Sequence, residues 1–163
     1  MSVRQFLFLQ GPLSPFFSEI ASGLRNHGHG IHCIQFNFGD RLFWHHPGAI
    51  RYRGRLADWP SFIDAYLAEH AISDIVLLGE QRAYHQSAIE AAKRHGIQVT
   101  VTDFGYLRPD WITFERDGMS TLSRFPRTPE ALHALAAQSP MLGLRQIYQD
   151  SFWTMAKWDM LYH

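Results

Sequence analysis

The sequence contains little cysteine and little charge. Its 163 residues include one cysteine, Cys33, so no internal disulfide and no cysteine-based metal cluster can form. Charged side chains make up only 18% of the chain, which argues against a disordered tail. Basic and acidic residues balance at 15 each. This balance excludes a strong overall attraction to nucleic acid, and no nucleic-acid partner is expected.

Long hydrophobic runs are also missing. No stretch approaches the roughly 18 apolar residues that a membrane span needs, and the apolar run near the N-terminus is too short for a signal peptide. The sequence therefore predicts a cytoplasmic protein with at most peripheral contact to a membrane. Lysine occurs only at Lys93 and Lys157, against 13 arginines. Arginine binds phosphate and carboxylate groups in a fork that lysine cannot reproduce.

What is present is enough apolar mass, 46% of residues, for one core. Short apolar runs alternate with segments of helical periodicity. Strands are predicted at 3–9, 31–36, 74–78 and 97–101, and helices at 15–27, 57–70 and 81–95. Continuous apolar strands between amphipathic helices predict an α/β fold, with a doubly wound, Rossmann-like parallel sheet of at least four strands covered on both faces.

Two regions depart from this alternation. Residues 37–48 are rich in glycine, histidine and aromatics and are predicted to form a loop. This loop is longer than a simple connection needs, and loops of this kind are often functional. After the fourth strand, the sequence predicts a further strand at 111–116 and a helix at 128–138. A long aromatic-rich helix is predicted at 142–163.

Polar side chains follow the predicted strands, where ligands bind in doubly wound sheets. Gln10, Gly11 and Pro12 come after the first strand. Gly11 permits close backbone approach, and the following helix offers free N–H groups to an anion. Glu80 and Arg82 come after the third strand. A tight turn at Gly11 and helix capping by Glu80 are the structural alternatives.

The segment after the fourth strand is the densest candidate for a site. It holds Asp103, Tyr106, Arg108, Asp110 and Trp111 within nine residues. Carboxylates at strand ends suit base or nucleophile chemistry on a sugar, and aromatic rings supply flat stacking faces. Asp103 is therefore the first candidate for a catalytic carboxylate and Asp110 the second, with structural capping as the alternative for both.

Three arginines alternate at Arg51, Arg53 and Arg55. On an extended strand all three would face one side. They could hold a phosphate or a sugar acid, or they could protect a solvated edge strand from aggregation. The adjacent pair His45 and His46 is a poor metal motif because neighbouring side chains point apart, so no metal site is predicted. The turn after the first strand is neither GxGxxG nor a P-loop, so no dinucleotide or ATP cofactor is predicted.

Several of these segments match a known family in order. The runs FLFLQGPLSPFF, FNFGDRLFW, RYRGRLADWP and GYLRPDWITFE resemble the capsule polysaccharide biosynthesis and export family. More narrowly, they are similar to the β-Kdo transferases of Gram-negative capsule assembly. The resemblance covers residues 6–124. It implies transfer of the sugar acid Kdo from CMP-Kdo to lysophosphatidylglycerol or a poly-Kdo linker, at the cytoplasmic face of the membrane and alongside other capsule assembly proteins.

The resemblance also implies roles for individual residues. The positions that match family motifs are Gln10, Gly11 and Pro12, Asp40 in the second loop, and Gly105, Tyr106, Arg108 and Asp110 after the fourth strand. The chain departs from the family at one point. Relatives commonly carry two acidic residues before the Gly-Tyr pair, whereas this chain has Asp103 followed by Phe104.

Such transferases resemble two-domain GT-B enzymes with the active site between the domains. The resemblance implies that residues 1–125 are the Rossmann-like N-terminal domain. Residues 126–163 would then be a connecting region and aromatic-rich helix that lead to a second domain, and the isolated chain would be inactive. Two alternatives stay open: a non-catalytic module that binds a nucleotide sugar or an acidic glycan, and a scaffold of the capsule export complex.

Overall fold

The computed structural model describes residues 2–105, 111–119, 122–139 and 152–162. The strands within them are β1 (Gln5–Phe8), β2 (Gly30–Gln35), β3 (Ile50–Arg51), β4 (Asp74–Leu78), β5 (Gln98–Phe104) and β6 (Ile112–Arg116). The helices are α1 (Phe16–Asn26), α2 (Phe38–Phe43), α3 (Trp59–Glu69), α4 (Ala83–His95), α5 (Pro129–Gln138) and α6 (Phe152–Tyr162). A 3-10 turn, Leu56–Asp58, precedes α3.

The six strands form one sheet in the order β3-β2-β1-β4-β5-β6. The first five are parallel, and β6 runs antiparallel to β5. The chain starts at β1, moves outwards through β2 and β3, and then returns to the other side of β1 to continue through β4 and β5. This reversal confirms the predicted doubly wound parallel sheet. It places the switch point, where such sheets bind ligands, between β1 and β4.

Each face of the sheet packs against different helices, because successive strand side chains point to opposite faces. The cluster with α3 and α4 includes Leu7, Ile34, Ile75, Leu77, Val99, Val101, Ile63, Leu67, Ala88 and Ala92. The cluster with α1 includes Phe8, Cys33, Val76, Leu78, Phe17 and Ala21. Burial raises the pKa of the Cys33 thiol well above its usual value, as expected for a small core residue and not a reactive thiol.

Aromatic rings close the α3 face beside β2 and β3. Trp59 is 0% exposed, and its ring centroid lies 5.0, 4.9 and 5.6 Å from those of Phe36, Tyr52 and Phe62. Its indole N–H donates a hydrogen bond to the carbonyl of Tyr84, 2.8 Å away. Trp59 therefore joins α3 to α4 and to the segments that follow β2 and β3.

The prediction of a loop at 37–48 is wrong, because α2 forms there. The Asn37 side chain accepts a hydrogen bond from the N–H of Asp40 at 2.9 Å, and the Asp40 carboxylate accepts from the N–H of Asn37 at 3.2 Å. These reciprocal bonds form a capping box that satisfies the first N–H groups of the helix.

Strand β3 is too short to include all three alternating arginines. Only Ile50 and Arg51 pair with β2, so Arg51, Arg53 and Arg55 do not share one continuous strand. Arg55 instead pairs with Asp58 of the 3-10 turn, with 3.0 Å between Nε and Oδ2. The prediction that these three arginines lie on one face of an extended strand is therefore wrong.

Strand β5 is longer than predicted. It was expected to end at Val101 but continues to Phe104, because β6 pairs with it from Phe104 opposite Ile112 to Thr100 opposite Arg116. Asp103 therefore lies inside a strand and not after one.

The C-terminal helices follow the prediction where the structure describes them. The Thr128 hydroxyl accepts a hydrogen bond from the N–H of Ala131 at 3.3 Å and caps α5. Helix α6 lies against α2 and covers part of the predicted helix 142–163, whose residues 142–151 fall outside the described residues. None of the described helices is long and apolar enough to cross a membrane.

Candidate functional site

Backbone hydrogen bonds align the strand ends at the carboxyl edge of the sheet. The carbonyl of Gln10 accepts from the N–H of Leu78 at 3.2 Å, and the carbonyl of Thr102 accepts from the N–H of Gly79 at 2.9 Å. The segments after β1 and β4 and the end of β5 therefore lie side by side. Three pockets line this edge, and each takes its walls from different segments.

The first pocket, the Gln10 pocket, lies between β1, α1 and α2. Gln10, Gly11, Pro12, Asp40 and Trp44 are among its lining residues. Its volume is about 30 Å³, which is room for about one water molecule and too little for a sugar ring. Trp44 was not singled out by the sequence analysis, and its buried indole N–H has no hydrogen-bond partner among the described residues.

Two predicted residues of the Gln10 pocket have structural roles. A Cβ atom at Gly11 would lie 2.7 Å from the Phe17 ring, so glycine is needed here to admit that ring into the core. The Asp40 carboxylate accepts the N–H of Phe36 at 2.8 Å in addition to its capping bond. The spacing Asn37-x-x-Asp40 is a helix-capping signal that could have been recognised in the sequence.

The second pocket, the Asp103 pocket, lies at the ends of β4 and β5. It brings together Glu80, Arg82 and Asp103, with Phe104 and Met119 also in its wall, around a volume of about 500 Å³. The exposed Asp103 carboxylate accepts the N–H of Phe104 through Oδ1 at 2.7 Å. Its Oδ2 has no hydrogen bond to another described residue. Two acidic residues and an arginine thus line one open pocket, which is large enough for a sugar ring.

Three further candidates, Tyr106, Arg108 and Asp110, lie outside the described residues. Their segment is joined at its ends, because the N–H of Gly105 donates to the carbonyl of Trp111 at 2.7 Å. A side chain at Gly105 would collide with that carbonyl. This close contact explains why the motif has glycine at this position.

His85, a residue that the sequence did not single out, supports the turn that carries Glu80 and Arg82. Its imidazole is fully buried, and Nδ1 lies 2.6 Å from the carbonyl of Gly79. A carbonyl only accepts, so Nδ1 carries the proton. Burial lowers the pKa of His85 to about 4. The imidazole is therefore neutral at pH 7, and its hydrogen bond to the carbonyl of Gly79 stabilises the turn.

We expect His85 to make stability depend on pH. Its pKa falls from 6.5 when unfolded to about 4 when folded, so the unfolded chain binds more protons between these values. The free energy of unfolding should decrease by up to about 3 kcal/mol as the pH falls from 7 to 4. Urea denaturation at several pH values measures this slope.

The matched comparison is His85→Gln, which should flatten that slope. His133→Gln, at an exposed position on α5, controls for the loss of any imidazole. An unchanged slope in His85→Gln would contradict the assignment.

The third pocket, the arginine pocket, lies beyond β2 and β3. Arg41, Arg51 and Arg53 line it together with Gln35 and Phe38, and its volume is about 250 Å³. Of the three alternating arginines, Arg51 and Arg53 lie here and Arg55 does not. The structure thus divides the predicted site between the Gln10 pocket, the Asp103 pocket and the arginine pocket.

The fold and this edge define a Rossmann-like α/β domain with an open, carboxylate-bearing pocket where its strands end. A family model described as capsule polysaccharide biosynthesis protein matches residues 73–163, which is more than half of the chain. The chain belongs to this family, which confirms the resemblance of its motifs to the capsule polysaccharide biosynthesis and export family.

Curated relatives agree with the family. The chain is 33% identical over 130 residues to the capsule polysaccharide export protein KpsS of Escherichia coli, covering 80% of this chain and 33% of KpsS. It is also 33% identical over 128 residues to the capsule polysaccharide modification protein LipB of Neisseria meningitidis, covering 77% of this chain and 30% of LipB. The chain thus spans about a third of the length of these relatives.

Two solved structures overlap with part of this chain. A UDP-GlcNAc 2-epimerase from Methanocaldococcus jannaschii is 15% identical, with a TM-score of 0.48 over 61% of this chain and 31% of the epimerase. The enzyme WbmH of Bordetella bronchiseptica, solved with NAD+, is 18% identical, with a TM-score of 0.42 over 58% of this chain and 37% of WbmH. These overlaps carry no information about activity.

Proposed function

We propose that this chain is the N-terminal domain of a capsular polysaccharide glycosyltransferase. The reaction is the transfer of Kdo from CMP-Kdo to lysophosphatidylglycerol or to a poly-Kdo linker. The observation that supports it most is the meeting of Glu80, Arg82 and Asp103 in one open pocket, at the carboxyl edge of a domain from the capsule family.

The chemistry of sugar transfer suits these three groups. The reacting sugar carbon becomes positively charged in an oxocarbenium-like transition state, and a carboxylate stabilises it as base or nucleophile. Asp103 is the proposed catalytic carboxylate, because the backbone of β5 holds it and its Oδ2 faces no described partner. Glu80 is the second carboxylate, and the Arg82 guanidinium suits the phosphate of the donor.

The remaining candidates take supporting roles in this proposal. The turn Gln10, Gly11 and Pro12 is next to the Asp103 pocket, because the carbonyl of Gln10 accepts the N–H of Leu78, a lining residue of that pocket. Tyr106, Arg108 and Asp110 join the site on the strength of the family motif alone.

The proposal places the complete site between two domains. Residues 1–125 supply one wall, residues 126–163 lead to the other domain, and the whole protein works at the inner face of the cytoplasmic membrane with other capsule assembly proteins. Kdo acceptors that carry a lipid would be reached there by peripheral contact.

The test is release of CMP from CMP-Kdo, measured for the 163-residue chain and for a longer capsule-family protein that contains this domain. We expect turnover by the longer protein and none by the isolated chain, because a cleft enzyme divides its substrate contacts between domains and depends on their mutual positioning. Comparable turnover by the isolated chain would refute the half-enzyme proposal.

Two other outcomes would favour the alternatives. Nucleotide-sugar binding by the longer protein without turnover would indicate a binding module. Absence of both would favour a scaffold, for which Phe152 and Trp153 of α6, 73% and 79% exposed, offer a docking surface.

A further inference from the structure

Three arginines line the arginine pocket. Arg41 comes from α2, Arg51 is the last residue of β3, and Arg53 follows it by two positions. In the described part of the chain, Arg4, Arg55, Arg94 and Arg124 each pair with an aspartate. No such ion pair involves an arginine of this pocket within the same residues.

The two acidic residues closest in sequence to the pocket arginines, Asp40 and Asp58, have other described partners. Asp40 precedes Arg41, but its carboxylate accepts the N–H groups of Phe36 and Asn37 and lines the Gln10 pocket. Asp58 pairs with Arg55. Three like charges around one pocket repel each other, and a bound anion would remove that repulsion.

The rest of the pocket wall suits a sugar. Gln35 is only 5% exposed, and its side chain forms no hydrogen bond with another described residue. Gln35 is a lining residue of the pocket, and its amide has a donor and an acceptor that no other described residue uses. Phe38 is 61% exposed at the rim and presents an aromatic face. Guanidinium groups, an amide and an exposed ring together provide contacts for an oxyanion, for hydroxyl groups and for the apolar face of a pyranose.

We propose that the arginine pocket binds an anionic sugar, meaning a pyranose that carries a carboxylate or a phosphate group. Its volume of about 250 Å³ admits one such unit. That the ligand is a sugar rests partly on the proposed function, whereas the binding of an oxyanion rests on the arginines alone.

The arginine pocket is separate from the Asp103 pocket. In the sheet, β3 and β5 are four strand positions apart, which corresponds to roughly 19 Å across the strands. The two pockets have no lining residue in common. The anionic sugar therefore occupies a binding site remote from the proposed transfer site, as a charged unit of an extended glycan would.

The test uses three sugars that differ at one carbon: glucose, glucuronate and glucose 6-phosphate. Each is titrated into the 163-residue chain by calorimetry and by NMR of the arginine Nε–H groups. We expect at least one of the two acids to bind and to shift the signals of the three pocket arginines, while glucose does neither. The acid that binds more tightly identifies the preferred group as carboxylate or phosphate.

Arg53→Gln should weaken binding of that acid about tenfold, the effect of losing one charge-assisted hydrogen bond. Arg55→Gln is the matched control, since it removes the same charge two residues away from an arginine outside the pocket. It should change the dissociation constant about twofold or less, because salt screens exposed charges. Melting temperatures of both variants establish that they fold.

Four results would overturn the inference: equal binding of glucose, no binding of either acid, equal losses in Arg53→Gln and Arg55→Gln, or a tenfold loss in Arg82→Gln, which would place the anion in the Asp103 pocket. Sugar transfer is measured separately. Failure of CMP-Kdo turnover in the longer protein would leave the anion site standing, and failure of anion binding would leave the proposed transfer site standing.

Discussion

Replacing Asp103 with Asn in a longer capsule-family protein that contains this domain is expected to lower Kdo transfer by about 100-fold or more. The substitution keeps the shape of the side chain and removes the negative charge that the transition state needs. Asp103 is exposed and its Oδ1 accepts only the neighbouring N–H of Phe104, so the melting temperature should not change. Rates of CMP release and thermal unfolding measure the two effects.

Asp117→Asn is the control for Asp103→Asn. Asp117 follows β6 at the opposite end of the same strand pair and forms an ion pair with Arg124, so full transfer activity is expected. Full activity in Asp103→Asn would end its catalytic assignment. Asp110→Asn completes the set: a lower melting temperature there would favour a structural role for that residue.

Replacing Trp59 with Ala is expected to lower the free energy of unfolding by about 3–5 kcal/mol. The indole is fully buried, and its removal leaves a cavity among Phe36, Tyr52 and Phe62. It also removes the hydrogen bond to the carbonyl of Tyr84, which would be left without that donor. Urea denaturation of the 163-residue chain measures the change.

Trp153→Ala removes the same side chain from an exposed position on α6 and should change stability by about 0.5 kcal/mol or less. Trp59→Phe retains an aromatic ring and loses the N–H, so its effect should fall between the two. A loss below about 1 kcal/mol in Trp59→Ala would contradict the central packing role of this residue.

The sheet could be predicted because its strands carry strong local signals. The run Asp74–Leu78 is mainly apolar and is followed by a glycine. The structure has β4 with the same bounds, and every residue of this strand is buried. The end of β5 carried no such signal. Its last residues pair with β6, and a partner strand is not visible in the periodicity of the strand itself.

The roles of acidic side chains were harder to predict. Asp40 and Asp103 both stand near strand ends, yet Asp40 caps α2 while Asp103 keeps an oxygen available in an open pocket. The difference depends on the short helix α2, which was predicted as loop. His85 lay beyond prediction because its function depends on burial, a property of the assembled fold.

Strand order explains why one predicted site became three pockets. The sequence places candidates at strand ends but does not state how far apart those ends lie. Because β1 and β4 are neighbours while β3 lies at the sheet edge, Arg53 is carried away from Glu80 and Asp103. That lateral distance follows from topology and not from any local pattern.

The central position of β1 also affects how the chain assembles during synthesis. One edge of β1 pairs with β2 (Phe6 with Ile31). The other edge can pair only after β4 has been synthesised (Phe6 with Asp74). The ribosome needs roughly 2–8 s for the approximately 40 residues in between, at about 5–20 residues per second. Throughout that interval an apolar strand has an unpaired edge, which is the kind of surface through which nascent chains associate. Newly made copies are therefore expected to present this edge until β4 has emerged from the ribosome and paired with β1.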